Sequence, residues 1–190
     1  MRLCKYTLTL MIVCVRPHGV FRYLLISNTS KGIIMTIEYR PATKEDAELL
    51  VSIYDAAFYN DYLRFGTCPG YGNTKESMER SIIDFPKFVI LADGKPVGCV
   101  SSKALEAGTY EVGVLCVIPE FQGKGIGTQA IQFIKTLHED WEKLTLVTPI
   151  DKRENVKFYT EKCGFQIVST ERDGDVELVR FVAENERILK

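Results

Sequence analysis

The stretch FQGKGIGTQAI, residues 121–131, sets glycines at 123, 125 and 127 with Lys124 among them. A strand-like run, TYEVGVLCVIPE, precedes it. Ile126, Ala130, Phe133, Ile134 and Leu137 follow at the spacing of one helix face. A glycine turn between a strand and a helix is a way to hold an anion. Without a Cβ, successive backbone N–H groups can converge, and the helix adds the positive end of its dipole. Two phosphate motifs fail here. Walker A needs Ser or Thr after Gly-Lys, and Gly125 follows Lys124. The dinucleotide fingerprint needs a glycine at 128, where Thr128 stands, and it belongs in a first βαβ unit. The pattern left is Q-x-x-G-x-G, Gln122, Gly125 and Gly127. It suits a pyrophosphate, and read alone it equally suits a plain strand-to-helix turn.

Outward from the turn, the chain from Met35 reads as one α/β domain. Ile37–Tyr39 is a short strand. Thr43 is an N-cap with Asp46 three residues on, ahead of helical spacing at Ala47, Leu50, Tyr54, Ala57 and Phe58. Residues 60–73, NDYLRFGTCPGYGN, read as an aromatic-rich Gly/Pro loop. Thr74 caps a short helix through Ile83. Strands follow at Lys87–Ala92 and Val97–Lys103 across the Asp93-Gly94 turn, and at Tyr110–Ile118. After the glycine-turn helix come a strand at Leu144–Val147 and a helix capped by Asp151 that stops at Gly164. A hairpin, Phe165–Thr170 and Val176–Val182, closes across Asp173-Gly174.

The 190 residues carry a net charge of −1, which argues against a nucleic-acid footprint. The six cysteines are Cys4, Cys14, Cys68, Cys99, Cys116 and Cys163, with no C-x-x-C spacing, and His18 and His138 are the two histidines. That argues against an ordinary structural zinc site and predicts reduced thiols in a cytoplasmic protein, with Cys99 and Cys116 as buried small hydrophobes. Residues 1–34 read as an extension. Arg2 and Lys5 precede an apolar run, Tyr6–Val15, that resembles a signal segment. No small-x-small cleavage site follows, and the run is shorter than the roughly 20 residues that span a bilayer. Met35 opens a normal domain start. The extension is therefore expected to be dispensable to the chemistry, as an over-long start would be. An extra strand or dimer element, or a membrane or export signal, are the alternatives.

Two stretches carry a family resemblance. Leu115-Cys116-Val117-Ile118-Pro119, then Glu120-Phe121, then Gln122 to Gly127, resemble motif A of the GCN5-related N-acetyltransferase (GNAT) superfamily. Phe158-Tyr159-Thr160-Glu161-Lys162-Cys163-Gly164-Phe165 resembles its F-Y-x-x-x-G-F motif B. The order of elements from 36 to 182 matches as well, so the resemblance covers nearly all of residues 35–190. It implies an α/β (α+β) fold with a mixed, mostly antiparallel twisted sheet flanked by helices. The strands at 110–118 and 144–147 would run parallel and splay into a V-shaped cleft. It implies acetyl-CoA in that cleft, the pantetheine arm on the backbone of Leu115, Cys116 and Val117. The pyrophosphate would lie on the N–H groups of Gln122, Gly123, Lys124, Gly125, Ile126 and Gly127. Many members carry an asparagine seven residues before the motif B tyrosine. Here Lys152 holds that position and Asn155 stands four before Tyr159, either facing the cofactor or on the helix surface.

Attack on a thioester needs a neutral amine, an oxyanion donor and a proton for the leaving thiolate. By resemblance Tyr159 is the general acid and a backbone N–H near Val117 the donor. Glu111 is the first choice of base, with Glu106 and Asp61 as rivals and a water chain as the alternative. No Ser–His or Cys–His nucleophile system is evident, and Cys116 reads as packing. Asp61, Tyr62 and Tyr71 are the expected acceptor-binding residues, a carboxylate beside aromatics suiting a cationic amine. The leading function is an N-acetyltransferase acting on a small-molecule primary amine by direct transfer in a ternary complex. It would be without a metal, a nucleic-acid partner or a membrane, and a homodimer is possible. The alternatives are a non-catalytic CoA- or metabolite-binding module of the same fold, and a protein N-terminal or lysine acetyltransferase.

Overall fold

The structure, a computed structural model, describes residues 14–16, 20–26 and 34–186. The readings placed on Cys4, His18 and most of Tyr6–Val15 lie outside those residues. The chain divides into two compact units, one comprising residues up to Cys99 with Cys116–Ile126, the other Val100–Leu115 with residues from Gly127.

In the first unit, β1 (Cys14–Arg16) pairs antiparallel with β2 (Val20–Ile26), and β2 with β3 (Ile34–Pro41), Leu25 opposite Met35. A 3-10 turn, Lys44–Asp46, leads into α1 (Ala47–Phe65). Asp46 is the acidic residue expected three after Thr43, and it accepts the Thr43 N–H at 2.8 Å. It also takes two bonds from the Arg40 guanidinium, at 2.8 and 2.7 Å. Those Arg40 bonds, against the opposing effect of burial, hold the Asp46 carboxyl at about 2, below its ordinary 3.8. A depressed carboxyl stabilises the fold above its unfolded value and loses that contribution as pH falls through the folded one. Asp46→Asn should therefore lower the melting temperature at pH 7 by roughly 3 °C and leave it nearly unchanged at pH 2. Thermal scans at the two pH values check this.

The helix α1 runs further than expected. Asn60–Phe65 contains no helix breaker, so α1 continues to Gly66, which takes φ +71 and donates its N–H to the Tyr62 carbonyl at 2.8 Å. Asp61 and Tyr62 thus sit on a helix rather than in the loop assigned to them. α2 (Lys75–Asp84) is capped as expected, the Thr74 hydroxyl accepting from Ser77 N–H at 3.2 Å, and it packs on α1. β4 (Lys87–Ala92) pairs antiparallel with β3, Tyr39 opposite Ile90. Asp93 (φ 49) and Gly94 (φ 79) make the turn into β5 (Lys95–Glu106), which is longer than expected at both ends. Ile37, Tyr39, Leu50, Val89, Ile90 and Cys99 are buried in this unit.

In the second unit, β6 (Thr109–Val117) runs parallel to β7 (Lys143–Pro149), and β7 pairs antiparallel with β9 (Val176–Glu184), which pairs with β8 (Gln166–Asp173). β8 is the edge strand, exposed along its whole length, with a register shift between Ile167 and Ser169. α3 (Ile126–Leu137) buries Ala130, Ile131, Phe133 and Ile134, and Leu144 and Phe181 of the strands are buried too. Two local readings are corrected. α4 (Arg153–Lys157) has Lys152, not Asp151, as its N-cap, because Lys152 N–H still bonds Pro149 O in a turn and its carbonyl is the first to accept helical bonds. The closing hairpin turns on Gly174-Asp175 rather than Asp173-Gly174, since Asp173 already faces Val176 in the ladder. After α4 the helix widens to a π turn, Phe158–Lys162, and ends at Gly164 with φ +74. Among the described residues no helix is long and apolar enough to cross a membrane.

Candidate active site

The glycine turn is exposed, and its glycines serve different ends. Gly123 (φ +72) and Gly125 (φ +83) occupy the left-handed region, where a side chain is strained, and a Cβ on either would meet nothing within 4 Å. Their requirement is conformational. They turn the chain after the Pro119–Phe121 3-10 turn, and residues 122–125, all exposed, lead into α3. Gln122 braces this from behind, its amide donating to the Val117 carbonyl at 2.8 Å. The Lys124 ammonium lies over the Phe121 ring, 4.5 Å from its centroid. Cys116 and Val117 are buried at the end of β6. Burial, then neighbouring Cys99, pushes the Cys116 thiol well above its ordinary value, so it stays protonated and packs.

Gly127 answers to packing. A Cβ there would stand 3.1 Å from the Phe158 ring. The two motifs that carry the family resemblance therefore touch, Gly127 of the first against Phe158 of the second. Tyr159 is 9% exposed and packs edge-on against Phe165 and tilted against Phe181, while its carbonyl accepts Phe165 N–H at 3.0 Å. Asn155 donates to the Thr148 hydroxyl of β7 at 3.2 Å, which ties α4 to that strand.

Among the described residues the parallel ladder of β6 and β7 covers Thr109↔Lys143, Tyr110↔Leu144 and Glu111↔Thr145, although both strands continue beyond it. Glu111 thus stands at the last rung before the strands part. Its partner Thr145 is buried with a hydroxyl that finds no bond in the structure, and Gln129 on α3 is buried with both amide atoms likewise unmet. Buried polar groups left so usually meet water or a ligand.

The acceptor-side residues divide. Tyr62 and Tyr71 come together, stacked at 4.5 Å and 18°, with Tyr59 5.8 Å from Tyr71. Asp61 shares α1 with Tyr62, one residue earlier and so turned about 100° away.

A Ser–His contact does exist among the described residues. The Ser102 hydroxyl lies 2.8 Å from His138 Nε2. The imidazole stacks on Tyr110 at 3.8 Å, and the Tyr110 hydroxyl donates to Asp140 at 2.6 Å. Burial lowers the His138 pKa, so the ring is neutral. Ser102 is only 3% exposed, which closes its oxygen to a substrate. The pair is a satisfied interior contact.

Gly98 is a position that sequence reasoning misses. A Cβ there would lie 2.4 Å from the Cys116 carbonyl oxygen, and Ile118 N–H bonds Val97 O at 2.8 Å beside it. Gly98 lets β5 press against the end of β6. A lone glycine inside a strand pattern is the signal that could have found it.

Comparison with known proteins agrees with this geometry. Residues 55–165, more than half of the chain, match the Acetyltransferase (GNAT) family. An uncharacterized protein of Bacillus subtilis, YrkN, is 36% identical over 80 residues, 42% of this chain and 43% of that one. The chain thus spans less than half the length of the curated relative it matches. The fold is similar to that of an acetyltransferase from Thermus thermophilus (21% identity, TM-score 0.65, 78% of this chain and 97% of that one). It is similar also to PaiA N-acetyltransferase from Thermoplasma acidophilum in complex with coenzyme A (19%, TM-score 0.61, 76% and 97%). A third similar structure is the Salmonella typhimurium acetyl transferase that modifies the N-terminal serine of ribosomal protein L7/L12 (13%, TM-score 0.65, 85% and 98%).

Proposed function

Since this chain belongs to the acetyltransferase (GNAT) family, we propose that it is an acetyl-CoA-dependent N-acetyltransferase acting on the primary amine of a small molecule. The observation that carries the reading is the exposed, left-handed backbone at Gly123 and Gly125 just before α3, a conformation in which successive N–H groups can converge on an anion. Donors of that kind suit a pyrophosphate. In this reading residues 122–127 hold the pyrophosphate, and the backbone of Leu115, Cys116 and Val117 holds the pantetheine arm. The substrate amine attacks the acetyl carbonyl as the free base, a backbone N–H near Val117 meets the developing oxyanion, and the Tyr159 hydroxyl protonates the departing thiolate. Glu111, or a water chain that starts near it and Thr145, accepts the proton from the amine. Asn155 orients α4 through Thr148 rather than by contact with the cofactor. A protein N-terminus is the second reading, motivated by the L7/L12-modifying enzyme of similar fold.

Calorimetric titration of acetyl-CoA into the full chain tests the first step. Micromolar affinity, about −8 kcal/mol, is expected, and free CoA should bind in the same range. A folded protein that gives no binding heat would overturn the reading. Acetylation rates on a panel of small amines, against a peptide with a free N-terminus, then separate the two acceptor classes.

A further inference from the structure

The tyrosines of α1 and the loop behind it form a built surface in the first unit. Asp55, Tyr59 and Tyr62 recur at i, i+4 and i+7, so they share one face of α1. The loop from Gly66 to Asn73 is pressed onto that face. Gly72 N–H bonds the Asp55 carboxylate at 2.9 Å, and Gly70 lies so close that a Cβ would come within 2.3 Å of the Phe58 ring. The loop delivers Tyr71 between the other two rings. Packing alone does not account for the result, because Tyr59 remains 48% exposed, Tyr62 40% and the neighbouring Leu63 62%. Two carboxylates stand on the same helix, Asp55 on the face of Tyr59 and Tyr62, and Asp61 one residue before Tyr62.

Fixed aromatic faces beside carboxylates attract an organic cation. If an amine is acetylated, however, its nitrogen must be neutral when it attacks. A site that favours the ammonium form opposes that deprotonation, so the tyrosines suit a nitrogen other than the attacking one. We propose that Tyr59, Tyr62 and Tyr71 bind a second, non-reacting alkylammonium group, so that the acceptor is an aliphatic amine carrying a distal positive charge. This rests on the acetyltransferase reading above. The exposed Leu63 offers apolar contact for the alkyl chain, and Asp55 and Asp61 select against acidic acceptors.

The test uses two ligands with the same primary amine and different far ends, (5-aminopentyl)trimethylammonium and 5-amino-1-pentanol. Each is titrated calorimetrically into the full chain in the presence of CoA. The cationic-tail ligand should bind about tenfold more tightly. Tyr62→Ala should abolish that preference, and Tyr62→Phe, which keeps the ring face, should retain it. Equal affinities in the wild type, or a preference that survives Tyr62→Ala, would overturn the proposal. Acetyl-CoA titrated into the same samples reports on the acetyltransferase function separately. A lost preference with normal acetyl-CoA binding sinks the cation site alone, and an intact preference without acetyl-CoA binding sinks the acetyltransferase assignment alone.

Discussion

Tyr159→Phe should lower kcat by about a hundredfold or more while acetyl-CoA binds as it does to the unaltered protein. The ring of Tyr159 is held by Phe165 and Phe181, and its backbone carbonyl by Phe165 N–H. Phenylalanine keeps all of those contacts, so the local fold and the cofactor backbone sites survive. What disappears is the proton donor for the departing thiolate, which then leaves as an unneutralised anion. Stopped-flow or steady-state acetylation rates, set beside calorimetric acetyl-CoA affinity, give the comparison. Turnover equal to the wild type would remove Tyr159 from the chemistry and leave it a core residue.

Gly125→Val should weaken acetyl-CoA binding by about a hundredfold, with the melting temperature nearly unchanged. Valine is branched at Cβ and strongly disfavours φ +83, so the turn must swing toward negative φ. No atom stands within 4 Å of the added Cβ, so the loss cannot come from a clash with the core. It comes from N–H groups rotated off a common focus. One or two charge-assisted hydrogen bonds lost at about 1.5–3 kcal/mol each account for the size. Lys124→Ala is the informative control. Its ammonium already lies over Phe121, so its removal should matter much less. Unchanged affinity in Gly125→Val would sink the pyrophosphate assignment.

The fold is largely readable in the sequence because its punctuation is local. Asp93-Gly94, Thr74 before α2, the glycines ahead of α3 and Gly164 after the π turn each impose a backbone conformation through their own chemistry. The misplacements have local causes too. Asn60–Phe65 reads as loop because aromatics and Gly/Pro crowd the residues after it, yet nothing stops the helix before Gly66. The N-cap at Lys152 rather than Asp151 is hidden, since a better capping residue sits one position earlier and the preceding turn decides the matter. Contacts between distant residues are the illegible part. The Gly127–Phe158 approach, the Gly98 fit to Cys116 and the Ser102–His138 pair depend on tertiary neighbours that periodicity does not encode. The tyrosine cluster is half visible. Tyr62 and Tyr71 stand out by composition, and Tyr59 joins them only once the helix is known to run past residue 60.

The edge strand β8 bears on how the chain meets other chains. An eight-residue strand open along its outer side is a template for another chain, and Ile167 and Val168, 51% and 55% exposed, are the residues a second strand would cover. Two features blunt it. The register shift between Ile167 and Ser169 kinks the backbone where the apolar pair sits, so a flat partner cannot lie along it. Beyond the kink the strand ends in Glu171, Arg172 and Asp173, with Glu171 held by Arg180 at 2.7 Å. A neighbouring molecule adding to this edge would have to bury those charges. The same eight residues that finish the sheet thus act as a brake on self-association into fibrils, and the brake is spread over a backbone irregularity and a charged terminus rather than concentrated in one residue.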